Sequence, residues 1–241
     1  MVIILSSRRG IYPGQGLPVK EENATENTSW IRFHDPPIAS QMALTGVIMK
    51  KKRIGRTSIE VSRLGLGCAT FGREIDEVES HQIMDFAVEL GITLFDTAES
   101  YGGGEARDYR RRTYGIDDVR EVSSEMHSSE KIIGRWLNSR GCRHQIVLET
   151  KVSPPFTSSA LRQKIEGSLE RLQTDWIDLY LFHSPDRTTP MEESLEVVTE
   201  AIKQGKIRAA GCSNFDADQV RAALEVSNCK QLARLEVIQP V

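Results

Sequence analysis

The sequence is poor in cysteine, and its few cysteines lie far apart. The 241 residues include four, at Cys68, Cys142, Cys212 and Cys229, and none of them belongs to a CxxC pair. Zinc sites and disulfide frameworks normally show closely spaced or regularly repeated cysteines, so we expect neither. Scattered reduced thiols of this kind are typical of proteins in the cytoplasm.

Long apolar runs are also missing. The first five residues, MVIIL, are apolar, but two serines and two arginines follow them directly. Such a run is too short for the core of a signal peptide, and far shorter than the ~20 residues that a membrane-spanning helix needs. We therefore expect a cytoplasmic protein without a membrane partner.

Neither sign of charge is in large excess. The chain has 31 Lys and Arg residues against 34 Asp and Glu residues, which gives a formal net charge of -3. A strong positive excess is the usual sign of a protein that binds nucleic acid or an anionic membrane, so we expect neither partner. With 39% hydrophobic and 27% charged residues, the composition is that of a soluble globular protein with a sizeable core.

The chain divides into two regions. Residues 1–48 mix polar residues, glycine and proline with scattered apolar ones, and they follow neither a helical nor a strand period. We interpret them as an irregular extension, which is disordered or, if Met49 is the start of translation, not translated at all. Residues 49–241 alternate short apolar runs with amphipathic segments, and this alternation predicts βα units around a parallel sheet.

Six strands and three helices are predicted in the second region. The strands are the apolar runs RLGLGCA (63–69), TLFDTA (93–98), IVLETKV (146–152), IDLYLFHS (177–184), IRAAGCSN (207–214) and RLEVIQ (234–239). Helical periods lie around Ile83–Leu90, Leu161–Leu172 and Leu195–Ile202, with Thr157 and Ser158 as candidate caps of the second helix. The wide gap between the second and third strands contains an insertion, residues 105–127.

Polar residues stand at the ends of five successive predicted strands. They are Asp96, Lys151, His183, the pair Ser213 and Asn214, and Gln239. The carboxyl ends of parallel strands meet at one rim of an α/β barrel, so these side chains should lie together. Each one alone has an ordinary explanation, such as a loop cap or a solvated strand end. Five in succession favour a functional site.

The residue types in this set are suited to acid catalysis. A tyrosine with an ordinary pKa of about 10 is a poor acid at neutral pH unless a cation lies close to it. Lys151 would supply that cation to Tyr101 and lower its pKa, and Asp96 would hold the ammonium in place. A neutral His183 would orient a substrate carbonyl. Gly102, Gly103 and Gly104 would let the loop turn closely, so that Tyr101 faces inward.

These segments resemble the aldo-keto reductase family. The similar segments are KKRIGRTSIEVSRLGLGCATFG, GITLFDTAESYGGGE, VLETKV, DLYLFHSPD, EVVTEAIKQGKIRAAGCSNF and VIQP, which occur in the family's order. The resemblance implies a (β/α)8 TIM barrel, of which about six βα units are present in this chain. It also implies NADPH-dependent reduction of a small-molecule aldehyde or ketone, with no metal.

The resemblance assigns a role to each site residue. It makes Tyr101 the proton donor, tuned by Lys151 and Asp96, and it makes His183 the residue that orients the carbonyl. It also implies that Ser213, Asn214 and Gln239 bind the carboxamide of the nicotinamide. The nicotinamide would be the source of the hydride.

The sequence departs from the family pattern in three places. Cys68 stands where many members have threonine, so no cofactor contact is assigned to it. The insertion carries four arginines, at positions 107 and 110–112, which belong either to a solvated or subunit-facing loop or to a pocket for an anionic substrate. The sequence ends with the sixth strand, so we expect either a fragment of a longer reductase, inactive by itself, or a barrel that another chain completes.

Two other functions are compatible with the same residues. The family includes non-catalytic barrels that act as regulatory subunits of channels, although no docking patch is evident in this sequence. Alternatively, Lys151 would be the Schiff-base amine of a lyase, because barrels support many chemistries. The presence of Asp96, Tyr101 and His183 beside it favours reduction.

Overall fold

The computed structural model describes residues 3–5 (backbone only), 49–104, 108, 111, 112, 115 and 121–240. A curled sheet of seven parallel strands forms its centre, in the order β1, β4, β5, β6, β7, β8, β9. These strands are Ile3–Leu5, Leu64–Gly67, Leu94–Asp96, Val147–Val152, Ile177–Phe182, Ile207–Ser213 and Leu235–Gln239. The remaining two strands, β2 (Lys51–Arg53) and β3 (Glu60–Ser62), form an antiparallel hairpin.

Helices connect the parallel strands from β4 onward. They are α1 (Glu77–Glu89), α2 (Ser128–Arg140), α3 (Ser158–Leu172), α4 (Met191–Lys203) and α5 (Ala217–Lys230), with a short 3-10 helix at Arg143–Gln145. Strand, helix and next parallel strand alternate throughout, which is the repeating unit of the TIM barrel. The prediction of a barrel-type fold with about six βα units is therefore confirmed.

The helix ends depend on local hydrogen bonds. The carboxylate of Asp76 caps α1 by accepting from the backbone N–H of Glu79 at 2.8 Å. Thr157 precedes α3, but its side chain makes no capping hydrogen bond. The carboxylate of Glu193 instead accepts from the N–H of Ser158 at 2.6 Å. Thr157 is thus the N-cap residue, as predicted, but a carboxylate of a neighbouring helix replaces the expected side-chain acceptor.

Two apolar layers lie on the two faces of the sheet. The outer layer packs the helices onto the strands, for example through the buried Leu161, Ile165 and Leu172 of α3. The inner layer fills the curl of the sheet with Ile59, Val61, Leu94, Val147, Leu179, Leu181 and Ala209. Because β6 and β7 are buried along their whole length, apolar residues occupy both faces of these strands instead of alternating with exposed polar ones. A few buried polar residues, such as Glu149 and Lys151 of β6, interrupt them.

The hairpin closes the amino end of the curled sheet. Ser62, at the end of β3, and Thr93, just before β5, each donate a backbone N–H to the other's hydroxyl, at 2.9 and 2.8 Å. The polar strand ends lie at the opposite end of the sheet. The hairpin therefore acts as a plug beneath the site.

Part of the first region has a place in the sheet. Residues Ile3–Leu5 pair in parallel with Leu64–Leu66 of β4, which the sequence pattern did not predict. Residues 6–48 and most of the insertion, including Arg107 and Arg110, lie outside the described residues, so the expectations for them remain predictions. In the described part of the chain, no helix is long and apolar enough to cross a membrane.

Candidate active site

The structure brings the predicted strand-end residues together at one rim of the sheet. Asp96 ends β5, Lys151 is the last but one residue of β6, and His183 directly follows β7. These three strands are neighbours in the sheet. Ser213 and Gln239 end β8 and β9 and are paired in register.

Lys151 is the centre of this group. Its ammonium donates to a carboxylate oxygen of Asp96 and, at 3.1 Å, to the carbonyl of Thr97. The same Nζ lies 3.5 Å from the hydroxyl oxygen of Tyr101. The side chain is only 1% exposed. Burial alone lowers the pKa of Lys151, but the carboxyls of Asp96 and Glu149 outweigh it and raise the pKa above the usual 10.5. The ammonium is therefore charged at neutral pH.

The glycines after Tyr101 allow its loop to pack against the start of α2. Gly102 has a φ of +99°, and a Cβ built there would lie 2.0 Å from the hydroxyl oxygen of Ser128. Gly103 is equally constrained, because a Cβ built at this position would lie 1.8 Å from the carbonyl oxygen of Ser123. This close approach fixes Tyr101 over Lys151, with the Nζ 5.0 Å from the ring centroid.

The acidity of Tyr101 differs from the sequence-based expectation. Burial raises its pKa above 10, and the nearby Lys151 ammonium lowers it only in part. The prediction that Lys151 lowers the pKa of Tyr101 below its ordinary value was therefore wrong, because the sequence pattern does not reveal how little water reaches the hydroxyl. Tyr101 keeps its proton at neutral pH, which is the form that a proton donor requires.

His183 is uncharged in the same environment. Burial, followed by the repulsion of the Lys151 ammonium, lowers its pKa to about 4. Its Nδ1 lies 3.3 Å from the hydroxyl oxygen of Ser100, and its ring meets Tyr101 edge-on with the centroids 5.5 Å apart. The neutral state agrees with the expectation from the sequence. Ser100 was not anticipated, because a serine in a loop gives no distinctive signal.

Two residues of the expected carboxamide-binding set are partly engaged by the protein itself. The side-chain amide of Gln239 donates to the second carboxylate oxygen of Asp96 at 3.1 Å. Its Oε1 is buried and has no hydrogen-bond partner among the residues that the structure describes. Asn214, with φ +60°, donates its side-chain amide to the carbonyl of His183 at 2.7 Å. Gln239 therefore offers a desolvated acceptor, which a carboxamide N–H can satisfy.

A second carboxyl, Glu149, was not singled out in the sequence. It lies on β6 two residues before Lys151, so both side chains point to the same face of the strand, and it is 2% exposed. Burial and the adjacent Asp96 raise the pKa of Glu149 to about 8. A glutamate inside a strand that is buried along its whole length, in phase with the lysine, was the available signal.

A cavity of about 550 Å³ lies inside the curl of the sheet, between the hairpin and β9. It is lined by residues that include Leu94, Glu149, Val237 and Gln239. It is thus beneath the rim, and it meets the site only through Glu149 and Gln239. Across the described residues, no three His, Cys, Asp or Glu side chains are grouped so that they could hold a metal ion.

Comparison with known proteins gives consistent matches. The sequence model described as the Aldo/keto reductase family matches residues 63–241. Among curated proteins, the chain is 35% identical to the aldo-keto reductase YhdN of Bacillus subtilis over 205 residues, which are 80% of this chain and 53% of that protein. It is 37% identical to the oxidoreductase YrpG of the same organism, covering 69% of this chain and 50% of that protein.

A further curated match is the protein tas of Escherichia coli, 32% identical over 79% of this chain and 59% of that protein. Among solved structures, a thermostable aldo-keto reductase in complex with the inhibitor epalrestat matches with a TM-score of 0.64 and 30% identity. That match covers 80% of this chain and 62% of the other. The chain spans about half the length of the curated relatives it matches.

Proposed function

The chain belongs to the aldo/keto reductase family, a family of oxidoreductases, and from that premise we propose that it reduces an aldehyde or ketone to an alcohol with NADPH. The observation that carries the proposal is the position of one buried ammonium, Lys151, between a carboxylate, Asp96, and the hydroxyl of Tyr101. A neutral His183 packs edge-on against the ring of Tyr101. This arrangement supports proton donation to a carbonyl oxygen.

Tyr101 is the proposed proton donor. Its raised pKa keeps the hydroxyl protonated at rest, so a proton is available when negative charge develops on the substrate oxygen. Once the proton has moved, the Lys151 ammonium at 3.5 Å stabilises the phenolate that remains. Asp96 keeps the ammonium charged and in position. Because these charges are already oriented in a dry site, little reorganisation accompanies the transfer.

His183 is proposed to orient the carbonyl. A neutral imidazole carries one N–H donor and one acceptor nitrogen. With Nδ1 close to the Ser100 hydroxyl, Nε2 is the nitrogen available to a substrate oxygen beside Tyr101. A charged imidazolium would compete with Lys151, and the lowered pKa of His183 avoids that competition.

The residues present fit the nicotinamide end of the cofactor. The unpartnered Oε1 of Gln239 would accept from the carboxamide N–H₂, and Ser213 and Asn214 would complete the set on the same rim. When bound, the nicotinamide supplies the hydride that the substrate carbon receives. Nothing in the described residues distinguishes NADPH from NADH, so the choice of NADPH rests on the family resemblance alone.

The charge of Lys151 argues against the lyase alternative. A Schiff base forms from a neutral amine, whereas the carboxyls of Asp96 and Glu149 raise the pKa of Lys151 above its usual value. Borohydride trapping of a carbonyl compound on Lys151 is the result that would favour the lyase.

The proposal is tested by following NADPH oxidation with a panel of small aldehydes and ketones. We expect oxidation that depends on the carbonyl compound and is abolished in Lys151→Met. Lys203→Met is the matched control, because Lys203 is exposed at the end of α4, and it should keep the wild-type rate. NADPH binding, followed by tryptophan fluorescence, should weaken in Gln239→Ala. Saturable NADPH binding with no carbonyl-dependent oxidation would overturn the proposed reaction.

A further inference from the structure

Glu149 brings a second carboxyl to the buried ammonium of Lys151. In the parallel pairing of β5 with β6, Glu149 is the register partner of Asp96, and its Oε1 lies 3.8 Å from Lys151 Nζ. The ammonium makes its direct contact with Asp96 instead. Two carboxyls therefore compete for one cation in the interior of the sheet.

The two carboxyls have unequal hydrogen-bond partners. Asp96 accepts from Lys151 through one oxygen and from the Gln239 amide, at 3.1 Å, through the other. Glu149 lies opposite Asp96 on the neighbouring strand, but its Oε1 has no hydrogen-bond partner within the described part of the chain. Donors stabilise the charged form of a carboxyl, so the negative charge belongs on Asp96.

The charge balance leads to the same assignment. Glu149 is 2% exposed and Asp96 is 4% exposed. If both were ionised, the dry cluster would hold two negative charges against one positive charge, which is strongly unfavourable away from water. If Glu149 keeps a proton, the cluster is neutral, and the Glu149 O–H can donate to Asp96.

Among the described residues, the one ion-pair contact of Glu149 is with Lys151. The cavity that Glu149 lines is also lined by Lys52 and Arg53 of the hairpin and by Glu236 of β9. Lys52 and Arg53 are exposed to water. Cys68, which directly follows β4, and Tyr101 both hold their protons, because burial raises the pKa of each.

We propose that Glu149 is a positioning residue that stays protonated at neutral pH and donates to Asp96, holding that carboxylate against Lys151. This role in proton transfer rests on the proposed function, whereas the protonation state does not. Ionisation of Glu149 would add a second anion beside Lys151, drawing the ammonium from Asp96 and making Tyr101 a weaker acid. Carbonyl reduction should therefore decline as the pH rises through the ionisation of Glu149.

The protonation state is tested directly by NMR. The full chain is labelled with ¹³C at the glutamate side-chain carboxyl carbons, and the Glu149 signal is assigned by its loss in Glu149→Gln. We expect this carboxyl to be protonated at about pH 6, where an ordinary glutamate is ionised. A Glu149 signal that titrates with the ordinary exposed glutamates would overturn the proposal, whatever the protein's activity.

The positioning role is tested by the pH dependence of kcat. Glu149→Gln keeps a neutral donor beside Asp96, so we expect it to retain the neutral-pH rate and lose the decline at higher pH. Glu149→Leu removes the donor, so its rate should fall about tenfold at every pH. Glu170→Gln, an exposed site on α3, is the control and should reproduce the wild-type profile. Equal rates and profiles in all four proteins would overturn the positioning role.

The two tests separate this inference from the proposed function. If wild type shows no carbonyl reduction but the Glu149 carboxyl is protonated at neutral pH, the proposed reaction fails while the assignment of the proton stands. If wild type reduces carbonyls and Glu149 titrates normally, the reaction stands and the role of Glu149 is wrong.

Discussion

Removing all negative charge around Lys151 should destabilise the fold far more than removing either carboxyl alone. In Asp96→Asn, Glu149 loses the neighbour that favours its protonated form, so it can ionise and balance the ammonium from its place 3.8 Å away. We expect a loss of about 1–2 kcal/mol in the free energy of unfolding, as for one altered buried hydrogen bond. Glu149→Gln replaces one neutral group by another and should change it by less than about 1 kcal/mol.

The double variant Asp96→Asn/Glu149→Gln has no such compensation. It leaves an ammonium that is 1% exposed without a carboxylate, and loss of one partner of a buried ion pair typically costs about 3–5 kcal/mol. The double variant should therefore lose about 2 kcal/mol more than the two single variants together. Adding Lys151→Met removes the unbalanced charge, so the triple variant should recover at least half of that loss.

Urea denaturation of the full chain at neutral pH gives these free energies of unfolding. The control pair combines Asp218→Asn with Glu170→Gln, two exposed helical positions whose effects should add within about 0.5 kcal/mol. Additive losses in Asp96→Asn/Glu149→Gln, or a triple variant no more stable than the double, would refute the shared-charge reasoning.

Three further predictions follow from other parts of the structure. Burial lowers the pKa of His183 to about 4 from 6.5, so between these pH values the unfolded chain binds more protons than the folded one. The free energy of unfolding should therefore decrease by up to roughly 3 kcal/mol as the pH is lowered from 6.5 to 4. His183→Asn should reduce that fall, and an unchanged slope would contradict the buried neutral imidazole. Leu161→Ala, in the outer core, should lower the free energy of unfolding by about 2–5 kcal/mol, and a loss as small as that of an exposed leucine would contradict its packing. Gly102→Ala should lower it by more than about 1 kcal/mol, because alanine meets both a positive φ and the Ser128 hydroxyl. Thermal unfolding checks this against Gly141→Ala, which shares the positive φ but leaves open space for a Cβ, and a loss no greater than that of Gly141→Ala would contradict the clash with Ser128.

The strands could be predicted because this sheet is buried on both faces. Apolar residues such as Val147, Leu148 and Val152 then occupy both faces of a strand, without the strict alternation of a half-exposed sheet. The gathering of Asp96, Lys151 and His183 also followed from the sequence, since the carboxyl ends of parallel strands share one rim. A short apolar run and the polar residue that ends it were sufficient for both inferences.

Other features depend on contacts that the local pattern does not contain. The helix α5 buries only Ala223 and Ser227, so it shows almost no apolar period. The helix α2 begins after His127 without a side-chain cap. It directly follows the polar insertion, so the sequence carries no signal for where the helix starts. The raised pKa of Tyr101 and the protonation of Glu149 depend on burial and on the neighbouring carboxyl, which only the folded arrangement provides.

The most direct test of the proposed mechanism is kcat for carbonyl reduction in Tyr101→Phe at saturating NADPH. Tyr180→Phe is the matched control, because it removes the hydroxyl of a fully buried tyrosine in the outer core, away from the site. We predict a fall of about 10²–10⁴-fold for Tyr101→Phe, the usual contribution of a general acid, with NADPH affinity retained and Tyr180→Phe close to wild type. A Tyr101→Phe rate within a few-fold of wild type would contradict the assignment of Tyr101 as the proton donor.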